Sequence, residues 1–292
     1  MTPRLFLLAL ICAATAAQAQ ISVSLDIKRR MYLHYEPILA TVHITNLSGR
    51  DLQLEDSGQP WFGFDVTGVN TETLVPPRNP DYKLDPLEIK IGETVKRTVD
   101  LTRLYGISEF GLHRIRATVF AKQLDKLFTS KPSVVDISEG HVFWKQTVGV
   151  PETMPNAGQS HTVELVEFQT DRRHLYVRMM DKEQGTVFCC YKIGNMIDAT
   201  TPQMQFDTTN NLYVLHFLGQ QTYQLTSIGV NGEFLGQYTY NAPKSKPYMR
   251  RLADGTVQLV GAHRQAAVAA GGPGGKNQGP KISDRPTGLP VD

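Results

Sequence analysis

Residues 38–45, Ile38-Leu39-Ala40-Thr41-Val42-His43-Ile44-Thr45, set Ile38, Ala40, Val42 and Ile44 against Leu39, Thr41, His43 and Thr45 at every second position. Successive side chains of an extended chain leave on opposite faces, so this period of two marks a strand with one face to a core and one to water. The pattern returns where Ile115, Ala117 and Val119 alternate with Arg114, Arg116 and Thr118. Further strands are expected over 21–28, 62–69, 94–101, 133–137 and 142–148. Turn chemistry separates them, in Asn46-Leu47-Ser48-Gly49, Asp56-Ser57-Gly58, Pro76-Pro77, Asn79-Pro80 and Ile91-Gly92-Glu93. Beyond a turn near 101–105 no segment carries the helical period. The expectation is an all-β chain with a β-sandwich over residues 20–150.

The run Val42-His43-Ile44-Thr45-Asn46, then Ser48-Gly49-Arg50-Asp51-Leu52-Gln53-Leu54, Ser57-Gly58-Gln59 and Phe62-Gly63-Phe64-Asp65-Val66, has a recognisable order. With Ile91-Gly92-Glu93-Thr94, Val99-Asp100-Leu101, Tyr105 and Gly111-Leu112-His113-Arg114-Ile115-Arg116-Ala117, it is similar to the immunoglobulin-like domains of the bacterial intracellular proteinase inhibitor type. The resemblance covers residues 35–121. It implies an immunoglobulin-like sandwich and, as a function, proteinase inhibition through a protruding loop such as 75–84 with its prolines. Its motifs are turns and strands, so it speaks for fold ahead of function.

Pro151, Pro155 and Gly158 then interrupt the pattern, and 151–160 is expected to be an inter-domain linker. From 161 to 264 the expected strands form hairpins. Segments 175–180 and 186–193 flank Lys182-Glu183-Gln184-Gly185, and 222–230 and 233–240 flank Asn231-Gly232. Asn-Gly is a strong hairpin signal because both residues tolerate positive φ. Asp254-Gly255 stands likewise before 257–260. Leu175-Tyr176-Val177 recurs as Leu212-Tyr213-Val214, and Ile193-Gly194 as Ile228-Gly229; a degraded third copy begins around Pro247 and includes Val257-Gln258-Leu259. The stretch from Phe206-Asp207 to Val214, with Ile228-Gly229-Val230-Asn231-Gly232, resembles a β-propeller blade. The region holds two to three such units, whereas a closed ring takes roughly four to eight. Its open edges are therefore expected to pack on the first region, on one another or on a second subunit.

The chain begins with a basic stretch ending at Arg4, an apolar block over 5–14, and Ala17-Gln18-Ala19. This is the order of a cleavable signal peptide over 1–19. The block falls short of the roughly 20 apolar residues that span a bilayer. The mature protein is expected to be secreted or periplasmic, with no integral membrane segment after cleavage. The Gly- and Pro-rich stretch 265–292 buries too little to offset its ordering entropy and is expected to be a disordered tail. The formal charge is +2, and the doublets Arg29-Arg30, Arg172-Arg173 and Arg250-Arg251 are scattered, so nucleic acid is not an expected partner.

Candidate chemistry is sparse. Eight histidines are dispersed without metal-ligand spacing, and no nucleophile elbow or phosphate-cradling loop is present. Asp207-Thr208-Thr209-Asn210-Asn211 lacks the central glycine and terminal glutamate of a calcium loop and is expected to be a turn. Cys189 and Cys190 are adjacent, so in a strand their sulfurs diverge; a vicinal or intermolecular bridge is the alternative. No cofactor or metal is expected. Phe62 and Phe64 share one strand face and Trp61 takes the other, so this cluster is either core or a contact platform; Trp144 poses the same choice. The functional expectation is an exported, non-catalytic binding or scaffold protein acting on a protein or glycan. A secreted proteinase inhibitor and a hydrolase with a non-local site are the alternatives.

Overall fold

A computed structural model describes residues 20–78, 83–197 and 200–265. The expected signal peptide 1–19, the tail beyond 265 and positions 79–82 of the 75–84 loop lie outside the described residues. Among the described residues the fold is all β, with one short helix α1 (Leu101–Leu104) and a 3-10 turn at Lys122–Leu124. In chain order the first strands are β1 (Ile21–Ile27), β2 (Met31–Leu33), β3 (Leu39–Asn46), β4 (Leu52–Leu54), β5 (Phe62–Gly68), β6 (Leu87–Ile89), β7 (Thr94–Asp100), β8 (Gly111–Ala121), β9 (Lys126–Thr129) and β10 (Ser133–Ser138). There follow β11 (His141–Gly149), β12 (Ser160–Gln169), β13 (Arg173–Asp181), β14 (Val187–Asn195), β15 (Gln203–Phe206), β16 (Leu212–Gly219), β17 (Thr222–Ile228), β18 (Phe234–Asn241), β19 (Tyr248–Arg251), β20 (Val257–Val260) and β21 (His263–Arg264). Two compact units divide the chain between Ile137 and Ser138, except that residues 31–37 belong to the second.

In the first unit β3 lies between β1 and β7, and β8 pairs with β5, β9 and β10, all antiparallel; β4 pairs with β6. The alternation read in β3 holds: Ala40, Val42 and Ile44 are buried, and the residues between them are half-buried. On that second face the hydroxyls of Thr41 and Thr98 (3.1 Å) and of Thr45 and Thr94 (2.8 Å) join β3 to β7. In β8, Ile115, Ala117 and Val119 are buried while Arg114 and Arg116 are exposed. Asn46, fully buried at the end of β3, donates from Nδ2 to the carbonyls of Arg50 (2.7 Å) and Ile89 (2.9 Å), so the Asn-Leu-Ser-Gly turn is pinned by a satisfied amide.

The second unit stacks three antiparallel layers. The first is the meander β11-β12-β13-β14, the second is β15-β16-β17-β18 with β21 on its end, and the third is the hairpin β19-β20. Val163, Leu165, Val177 and Met179 of the first layer meet Leu212, Val214 and Ile228 of the second in one apolar core. Leu215, Tyr223 and Leu225 of the second meet Met249 and Leu259 of the third. The outer face of the first layer is covered too. Leu33 and Tyr35 pack there on Val166, Phe168, Tyr176 and Cys190, and the buried Glu36 accepts from the Tyr176 hydroxyl (3.0 Å) and from the Leu33 amide (3.1 Å).

Two expectations change here. The strand expected at 142–148 in the first region is β11, paired along its length with β12, and the stretch expected as a linker joins these neighbouring strands of one sheet. The reason is β12 itself. Buried on both faces, Ser160–Gln169 has no period of two to read. In the turn between β17 and β18, only Gly232 of the Asn-Gly pair takes a positive φ (+87°), and the turn widens to Gly229–Glu233, whose N–H and C=O bond at 2.8 Å.

Candidate functional site

The site grows from β5, which among the described strands has β8 on one side only. Trp61 O accepts from Phe120 N (2.7 Å). In an antiparallel pair, alternate residues bond the neighbouring strand, so 61, 63 and 65 address β8 while 62, 64, 66 and 68 turn their backbone groups outward. Most of that outer edge is occupied. Gly68 N donates to Thr73 O (3.0 Å), and Val66 O accepts from Val75 N (2.8 Å). At Phe64 a side chain takes the place of a strand: the Tyr105 hydroxyl donates to Phe64 O (2.8 Å) and accepts from Phe64 N (3.0 Å). Burial pushes the Tyr105 phenol up, with Asp65 adding to the effect against the Phe64 hydrogen bond, so the group stays neutral.

Tyr105 is held for this task. Asp100 caps α1 through Thr102 N (3.0 Å), and Tyr105 N closes the helix on Leu101 O (2.9 Å). Arg78 then donates from its amide to Leu104 O (2.7 Å) and from Nε to Tyr105 O (3.1 Å), tying 76–78 against the segment after the helix. Between this wall and β5 lies a cavity of about 320 Å³. Its lining includes Phe62, Phe64 and Tyr105, Gly63, and the exposed Leu74 and Leu127. Leu74 is 65% and Leu127 55% exposed, so both offer apolar surface beside the cleft.

The aromatics singled out from the sequence separate. Trp61 is no platform: it is 1% exposed, its amide donates to Asp56 Oδ1 (3.0 Å), and its indole Nε1 donates to Leu84 O (3.3 Å). Phe62 and Phe64 are buried as well, edge to face with centroids 5.3 Å apart, but they back onto the cleft. Trp144 belongs to the second unit, where it is half-buried against the core and stacks on Phe206 with centroids 6.2 Å apart. Sequence reading missed Leu74, Tyr105 and Leu127 as site residues. Gly63 between two phenylalanines was the one local signal, since a strand glycine often marks a close approach.

Elsewhere polar groups are spent on structure. The buried Asp207 accepts from the amides of Thr209 and Asn211 (2.9 Å each) and from the Asn211 side chain (3.0 Å). Burial opposes its charge, but these bonds hold its carboxyl below the usual range. Its oxygens are engaged by their own loop and by the Tyr213 hydroxyl of β16 (3.3 Å), as expected of a turn. Cys189 and Cys190 are free and buried on opposite faces of β14, one in each core cluster, and burial pushes the Cys189 thiol up to about 12. Among the described residues no group of His, Cys, Asp and Glu has the arrangement of a metal site. Among them also, no helix is long and apolar enough to cross a membrane. Comparison with protein-family models, with curated proteins and with solved structures finds no match to this chain.

Proposed function

We propose that this chain is an exported, non-catalytic binding protein whose first-unit cleft receives an apolar side chain of a protein partner. The observation that carries the reading is the cavity of about 320 Å³ lined by the aromatic rings of Phe62, Phe64 and Tyr105 and by two exposed leucines. A concave apolar surface with few polar groups suits a hydrophobic anchor. A glycan would need aromatic faces open for stacking and a richer set of donors, and here the rings are buried and the Tyr105 hydroxyl is engaged with Phe64. Asp65 is the one charged side chain among the cleft's described lining, which argues against an acid–base pair. Export rests on the signal-like order of residues 1–19. The immunoglobulin-like and blade-like resemblances agree with this reading, both being architectures that serve as binding scaffolds.

Affinity capture from the envelope or secretion fraction, with the wild type beside a Leu74→Asp/Leu127→Asp double variant, tests it. Both leucines are exposed, so the fold tolerates the change. A partner retained by the wild type and lost by the variant is the expected result; equal capture by both removes the cleft from consideration. The inhibitor reading has one observation in its favour, the anchoring of 75–78 through Val75 N to Val66 O and Arg78 N to Leu104 O. Cleavage within 75–84 by every protease of a broad panel would end it.

A further inference from the structure

We infer that the cleft is half of a strand-docking site: an extended segment of a protein partner adds to the edge of β5 at Phe62, unfilled among the described residues, seating an apolar side chain in the cleft and a basic one toward Glu55, Asp56 and Asp85. This rests on the cleft being a protein-binding site, as proposed above.

The outer edge of β5 is filled by Thr73 at Gly68, by Val75 at Val66 and by the Tyr105 hydroxyl at Phe64. Among the described residues nothing fills it at Phe62, whose N–H and C=O point the same way. An unpaired stretch of strand edge is a template for another chain, and partners that use it draw affinity from main-chain bonds and specificity from alternate side-chain pockets. Both ingredients meet here, because Phe62 also lines the cleft. Tyr105 closes the edge at Phe64, so the added strand is short and leans on its anchor side chain.

Charge supplies the rest of the partner's description. One residue before Phe62, the Trp61 amide is bonded to Asp56 Oδ1. Asp56 in turn lines a second hollow of about 340 Å³ with Glu55, Asp85 and Lys83, three carboxylates against one ammonium. A segment leaving the cleft on that side meets negative charge, so a Lys or Arg near its apolar anchor is favoured and an acidic residue is disfavoured.

Selection of short random segments displayed on phage against the full chain tests this, followed by synthesis of the best segment. Enriched segments are expected to pair an apolar residue with a nearby Lys or Arg. Leu127→Asp is expected to weaken binding at least tenfold, and Asp85→Lys to weaken basic segments several-fold; both side chains are exposed. Backbone N-methylation at alternate positions separates the two claims. Methyls on the set facing β5 are expected to abolish binding, and methyls on the other set to spare it. Tolerance of both sets, with Leu127→Asp still damaging, overturns strand addition and leaves the cleft reading standing. Indifference to Leu74→Asp and Leu127→Asp, or failure to enrich any segment, overturns both.

Discussion

His216 is 3% exposed, and neither ring nitrogen has a hydrogen-bond partner among the described residues. It sits on β16 across from Gln224 and so close to Gly194 of β14 that a Cβ there would lie 2.2 Å from its Nε2. Burial alone pushes its pKa down from 6.5 to about 4. The unfolded chain therefore takes a proton at a higher pH than the folded one. Stability is full above the unfolded value, declines as pH falls through the window from 6.5 to 4, and levels off below it. A shift of this size corresponds to about 3 kcal/mol across the window. Urea unfolding of the full chain at pH 7.5 and 4.5 should register that loss, and His216→Met should flatten it; an unchanged slope in the variant would assign the acid sensitivity to other groups. Such residues are opaque in sequence. Phe-Gly-Phe beside Trp61 reads equally as core or as platform, because composition fixes the apolar area of a side chain but not which neighbours arrive to cover it.

At the scale of the element, β12 decides both the fold and what was legible of it. Strands with one wetted face, such as β3 and β8, announce themselves by alternation, and their positions were readable to within a residue or a few at each end. Central β12 is covered on both sides, so its Val163-Glu164-Leu165-Val166 run carries no period, and the boundary between units was read too late. The glutamate in that run looks like a wetted position and is not one. Glu164 and Arg178 face each other across β12 and β13, both buried, with Arg178 Nε and Nη2 on Oε2 (2.9 and 2.7 Å) and the Lys145 ammonium on Oε1 (3.0 Å). Burial raises the Glu164 carboxyl, but the bonds from Arg178 and Lys145 outweigh it and the net shift is downward. This contribution is present above the ordinary carboxylate range and is lost as pH falls through the lowered value. Arg178→Met should destabilise the protein by about 3 kcal/mol, because it leaves the buried Glu164 with the Lys145 ammonium alone, whereas Glu164→Leu/Arg178→Met together should recover most of the loss. Denaturant midpoints of the two variants check this, and equal losses would mean that the pair itself stabilises the sheet.

For the whole molecule the governing fact is that the second unit is discontinuous in sequence. Residues 31–37, lying between β1 and β3 of the first unit, supply the Leu33, Tyr35 and Glu36 that cover Val166, Phe168, Tyr176 and Cys190. No local pattern announces this, since a three-residue strand is too short for a period and its partner is remote in the chain. The consequence concerns the thiols. In the full chain both cysteines are buried, Cys189 between the first two layers and Cys190 beneath the 31–37 segment, where its sulfur approaches His34 O at 3.8 Å. A buried thiol with a raised pKa holds little thiolate and reacts slowly. Residues 138–265 produced alone lack that cover, and Leu33 with its neighbours leaves an apolar face open to water. Cys190 should then react with a thiol reagent under native conditions while Cys189 stays protected, and the fragment should bind a hydrophobic dye that the full chain excludes. Adding residues 31–37 as a peptide should slow the Cys190 reaction, and Glu36→Ala in that peptide should weaken the protection by removing the acceptor for Tyr176. Equal reactivity of the two cysteines in the fragment would instead mean that the first layer does not hold its shape without the segment, making 31–37 part of the unit's folding core and not merely its cover.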